Sequence, residues 1–101
     1  MKYNLHNPTL MLFHADWCGH CVRLMPTFDK FSNAVNKQKI NIVKLNADTN
    51  ASAVKSFNVE GFPTILLTEP KSKKFITYNG NRTLTDLVKF VNENAGIDIT
   101  K

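Results

Sequence analysis

Two short apolar runs bracket one amphipathic stretch, and this arrangement limits the fold more than any other feature of the chain. TLMLFHA at 9–15 and the β-branched INIVKLNA at 40–47 both read as strands. Between them Leu24, Phe28, Phe31 and Val35 recur at spacings of four, three and four, an apolar stripe along a helix from about Gly19 to Asn36. Strand, helix and strand in that order predict a right-handed βαβ unit with parallel strands. Pro26 falls inside the stripe, removes one intrahelical hydrogen bond, and predicts a kink there.

The second half has a different rhythm. DTNASAVKSF reads as a short capped helix with Ala53, Val54 and Phe57 on one side. GFPTILLTE predicts a third strand, PKSKK a turn and KFITYN a fourth strand, so short a connection making an antiparallel hairpin. Leu84, Leu87, Val88 and Val91 follow helical spacing over about 84–95, with Thr83 as N-cap, Asp86 near the positive end of the dipole and Gly96 as the stop. The expected architecture is α/β: a four-stranded mixed sheet, βαβ then ββα, with helices on both faces. A chain of 101 residues with 43% apolar content forms one domain, 1–101, with a single modest core.

The chain has two cysteines, Cys18 and Cys21, in WCGHC at the first strand-to-helix transition. One close pair in an otherwise cysteine-free chain reads as redox chemistry before a disulfide scaffold. At a helix N-terminus, free backbone N–H groups and the helix dipole stabilise a Cys18 thiolate, the form that attacks a disulfide. Cys21, one turn on, is placed to resolve the mixed disulfide. His20 can carry a positive charge beside the thiolate and so make the disulfide a better oxidant. Trp17 offers a flat apolar surface to a docking chain.

WCGHC followed by Pro26, then VEGFPTILL, then YNGNRT before an amphipathic helix resembles the thioredoxin superfamily over about residues 9–96. The Gly19-His20 dipeptide is the protein disulfide isomerase form. The resemblance implies a thioredoxin-like fold and thiol–disulfide oxidoreductase activity that reduces, forms or isomerises protein disulfides, with no cofactor. It implies a cis bond between Phe62 and Pro63, with Gly61, Phe62 and Pro63 beside the cysteines and the Phe62 backbone available to an extended substrate. By the same resemblance Arg82 is an arginine that approaches the site and lowers the second cysteine's pKa. The implied partners are protein thiols and disulfides and a recharging enzyme, a reductase or a sulfhydryl oxidase.

Two departures stand out. The family's buried acid, six residues before the first cysteine, is replaced by Leu12. Lys44 matches the lysine that pairs with that acid, so it is expected to stand without its partner and extend its ammonium to water. His14, on the strand face of Leu12, is the candidate substitute proton acceptor, and His14 and Lys44 are the proton-transfer candidates. Only eight residues precede Thr9, so a sheet trimmed at the front, with one flank more open, is expected.

The remaining function classes find little support. The excess of 13 basic over 8 acidic residues gives a net charge of +5, but the one cluster, KSKK at 71–74, reads as a solvated turn, with no interleaved aromatics for nucleic acid. No apolar run is long enough to span a membrane. Zinc binding lacks a second CxxC or a paired histidine motif, and no metal is expected. A redox-inactive binding module within a larger assembly is the alternative, although such modules usually lose a cysteine. The start lacks a signal-like apolar region, which predicts a cytoplasmic protein, and a secretory setting requires a removed leader; a monomer is expected. Gly-His between the cysteines favours an oxidant or isomerase, which a cytoplasmic setting reconciles with a disulfide system separate from the glutathione pool. Some large DNA viruses run such systems in virus factories or virions, and the many Asn, Lys and Ile residues fit an AT-rich genome.

Overall fold

A computed structural model describes residues 6–70 and 74–101. The elements run β1 (Thr9–His14), α1 (Gly19–Ala34), β2 (Asn41–Asn46), α2 (Ala51–Ser56), β3 (Thr64–Thr68), β4 (Phe75–Thr77) and α3 (Leu84–Ala95). They form one four-stranded sheet in the order β2-β1-β3-β4. β1 pairs parallel with β2 and antiparallel with β3, and β3 pairs antiparallel with β4. The turn read at PKSKK lies mostly outside the described residues, as do the first five residues.

The sheet separates two apolar layers. Leu10 and Leu12 of β1 pack with Leu24, Phe28 and Phe31 of α1 and Leu87 and Val91 of α3 in the main core. Full burial of each such side chain contributes about 1.5–3 kcal/mol, so the four-three spacing in α1 is what fixes this helix to the sheet. On the opposite face the Phe13 ring lies 5.9 Å from Phe57, which follows α2, and Phe57 lies 5.4 Å from Phe75 of β4. Helices therefore cover both faces, as expected.

α1 runs through Pro26 as one helix of 16 residues. α3 begins at Thr83, whose hydroxyl accepts the Asp86 N–H, and ends at Gly96 in the left-handed region at φ 68°, which a Cβ would disfavour. The short α2 departs from expectation. Its N-cap residue, Asn50, makes no capping bond; the side-chain amide donates to the Asn46 carbonyl and to Thr49 instead.

Candidate functional site

The site hangs from the end of β1. After His14 the chain turns through Ala15–Trp17, the Cys18 N–H donating to the Ala15 carbonyl at 3.1 Å, and α1 starts at Gly19 with Cys18 as its N-cap. A sulfur thus takes the place usually held by a serine or aspartate oxygen. It accepts the backbone N–H of Cys21 at 3.3 Å.

Both cysteines are free thiols. They pack with Ala15, Ala47 and Phe62 in a small cluster of their own. Cys18 retains 7% of its surface and Cys21 only 1%, so Cys18 is the more accessible of the two. The Cys18 thiol donates to the Phe62 carbonyl at 3.5 Å, and the Phe62–Pro63 peptide is cis. Gly61 precedes it, its carbonyl accepting the Thr64 hydroxyl at 2.6 Å.

Electrostatics separates the two sulfurs. Burial works against a charge on Cys18. The hydrogen bond from the Cys21 thiol, the backbone N–H groups of Cys21 and His20, and the charge of Arg82 outweigh it, and the Cys18 pKa falls below its ordinary value. For Cys21, burial, the hydrogen bond to Cys18 and repulsion from it push the thiol up to about 11, against smaller pulls from the Ala15 backbone and Arg82. One turn of helix therefore holds one thiol that ionises readily and a second that keeps its proton.

Trp17 is 68% exposed and meets Phe62 edge to face at 5.8 Å. Together with Ala47, Ala51, Val54 and Val59 they line an open groove of about 460 Å³ beside the sulfurs, with Asp48, Lys55, Asn58 and Glu60 among its polar walls. The groove's α2 side was not anticipated from the sequence, where Val54 was read only as part of one side of a short helix. His20 is exposed, and its Nδ1 accepts from the guanidinium of Arg23 at 2.8 Å. Arg82 is exposed and shares a small cleft of about 220 Å³ with Pro63, Thr64 and Tyr78.

Lys44 lacks its usual family partner, Leu12 standing in the acid's place, but its ammonium finds another one and does not simply extend to water. Lys44 lies opposite Leu12 in the β1–β2 register, on the face that α1 covers, but β2 is the outer strand of the described sheet. Its ammonium pairs with Asp29 of α1 at 2.9 Å, both side chains about half exposed. Leu12 is fully buried where the family acid is expected. His14 is half-buried at the end of β1, its carbonyl accepting the Ala47 N–H at 2.7 Å. Among the described residues no three metal-ligating side chains gather.

The family model named Thioredoxin matches residues 3–93, nearly the whole chain. This chain belongs to the thioredoxin family. It is 38% identical over 96 residues to protein disulfide-isomerase erp38 of Neurospora crassa, covering 93% of this chain and 26% of that protein. A mitochondrial thioredoxin domain-containing protein of Schizosaccharomyces pombe is 40% identical over 91 residues, covering 85% of this chain and 25% of that protein. The first thioredoxin domain of mouse protein disulfide-isomerase A4 superposes with a TM-score of 0.76 at 30% identity, covering 86% of this chain and 62% of that one. This family member thus spans about a quarter of the length of the two curated relatives. No helix among the described residues is long and apolar enough to cross a membrane.

Proposed function

We propose that this domain is a thiol–disulfide oxidoreductase of the protein disulfide isomerase type, acting on protein thiols and disulfides. The observation that carries the reading is the hydrogen-bonded pair at the start of α1: Cys18 accepts the Cys21 N–H, and Cys21 is buried one turn inside. In the reducing direction the Cys18 thiolate attacks one sulfur of a substrate disulfide. A mixed disulfide forms and the other substrate sulfur leaves as a thiolate that takes up a proton. Cys21 then gives its proton to solvent and attacks the Cys18 sulfur, expelling the second substrate thiolate. The domain ends as the Cys18–Cys21 disulfide, and two electrons have passed to the substrate. The reverse sequence forms a substrate disulfide, and arrest at the mixed disulfide with reshuffling is isomerisation.

Trp17, Phe62 and the adjoining groove suit an extended chain flanking the reacting cysteine, with Gly61 and Pro63 setting the backbone on either side of Phe62, whose carbonyl meets Cys18. Arg82 assists both thiolates by charge. With Leu12 in place of an acid, the proton of Cys21 leaves without an internal carboxylate, so resolution is the slow half of the cycle; His14 is the nearest titratable group along β1 to test for assistance. Recharging requires a partner enzyme, a reductase or a sulfhydryl oxidase.

The test is disulfide turnover by the wild type, Cys18→Ser and Cys21→Ser. Loss in Cys18→Ser with a trapped mixed disulfide in Cys21→Ser supports the reading; a wild type without exchange activity favours a redox-inactive binding module. Direction is read from the reduction potential in glutathione buffers, followed by Trp17 fluorescence. About −180 to −200 mV marks an oxidant or isomerase and about −270 mV a thioredoxin-like reductase. The same value indicates whether an oxidising compartment or the cytoplasm suits the protein.

A further inference from the structure

The segment between β4 and α3 carries Arg82 and is held from one side by a single aromatic residue. The Tyr78 N–H donates to the Ile65 carbonyl at 2.9 Å, extending the β3–β4 pairing by one step. Its ring packs on Phe90 of α3, centroids 4.9 Å apart. Its hydroxyl donates to the Asn81 carbonyl. The ring also lies over Gly80, where an added Cβ would fall 2.6 Å from the phenol oxygen. Tyr78 thus joins strand, helix and the intervening turn, and Thr83 fixes the far end of that turn as the α3 N-cap. Arg82 stands between these anchors and lines the same cleft as Pro63, whose neighbour Phe62 touches Cys18.

We propose that Tyr78 is a positioning residue that latches the Asn79–Arg82 turn, through the Asn81 carbonyl and the space left by Gly80, and so holds Arg82 within electrostatic reach of the two cysteines. This rests on the oxidoreductase reading of the site. Arg82 lowers the pKa of both Cys18 and Cys21, so its placement acts on attack and on resolution alike. Burial and the charge of Asp86 raise the Tyr78 pKa, which keeps its hydroxyl a donor while Cys18 titrates. The charged or titratable groups acting on Cys18 in this arrangement are Cys21 and Arg82, with the exposed His20 beside them.

The experiment is an ultraviolet thiolate titration of Cys18 in the reduced full chain, as wild type, Tyr78→Phe, Arg82→Gln and the double variant. Tyr78→Phe is expected to raise the midpoint by about 0.5 pH unit, roughly a threefold loss of thiolate at neutral pH, and Arg82→Gln by at least as much. In the Arg82→Gln background Tyr78→Phe is expected to add nothing, because a latch acts only through what it holds. Gly80→Ala, whose Cβ displaces the phenol, gives a second route to the same rise. An unmoved midpoint in Tyr78→Phe, or an equal shift in both backgrounds, overturns the proposal. The titration needs no turnover: a wild type inactive in exchange that still shows this pattern defeats the functional reading and leaves the latch standing.

Discussion

Cys21 donates its backbone N–H to the sulfur of Cys18 over 3.3 Å, so that sulfur is held by the helix it opens. The same geometry buries Cys21, and the two thiols part in acidity as they part in exposure.

Alkylation of the reduced protein at neutral pH is expected to stop after one modification, at Cys18. With Cys21 pushed up to about 11, its thiolate is about 100-fold scarcer than that of an ordinary thiol, before its burial is considered. Mass spectrometry after timed quenching locates the adduct. Equal labelling of both cysteines would remove the asymmetry on which the proposed cycle depends.

The stability of the reduced protein carries both shifts with opposite signs. Between the lowered folded pKa of Cys18 and its ordinary value of 9.0, the unfolded chain holds a proton that the folded one lacks. Stability from Cys18 is therefore present above that ordinary value and lost as pH falls through the folded pKa. Between 9.0 and about 11 the folded Cys21 holds the extra proton, and its contribution declines as pH rises. Relative to the double variant Cys18→Ser/Cys21→Ser, the stability increment in urea unfolding is expected to peak near the ordinary thiol value.

Leu12 is sealed in the main core between β1 and α1. Leu12→Asp places a carboxyl there, with Lys44 already paired to Asp29, and is expected to cost about 4 kcal/mol or more. Equilibrium denaturation at neutral pH measures it, and the loss should shrink in mild acid as the carboxyl takes up its proton.

Asp29→Asn removes the partner of Lys44. The pair is half exposed, so a loss of about 0–1 kcal/mol is expected, with further weakening of the wild-type pair in high salt. The alkylation rate of Cys18 should not change, which separates this ion pair from the redox site.

Much of this was legible because local pattern and global packing agree. The four-three spacing of Leu24, Phe28 and Phe31 states the buried face of α1 outright, and Thr83 and Gly96 have conformational roles that few residues fill. The cysteine pair announces its own chemistry at a strand-to-helix transition. What escaped depends on relative placement. Lys44 and Asp29 lie 15 residues apart, and their meeting requires knowing how α1 is turned over the outer strand. Asn50 offers a capping side chain, but the loop before α2 claims its amide. Ile99, fully buried, sits beyond the last helix and has no periodic neighbour to mark it, though Asn92 fixes its backbone through a side-chain oxygen at 2.9 Å. Tyr78 is legible only as part of a family-like YNGNRT; its contact with Asn81 has no signature in spacing alone.

β1 is paired along both edges and packed on both faces, and the dithiol is attached directly to its end. Amide hydrogens of Leu10–Phe13 should accordingly be among the last to exchange with deuterium, whereas the three-residue β4 at the sheet margin exchanges early. Breathing of that margin can then proceed without dismantling the cysteine pair, so the two sulfurs ride on the well-paired strand while the Tyr78–Arg82 segment rides on the margin.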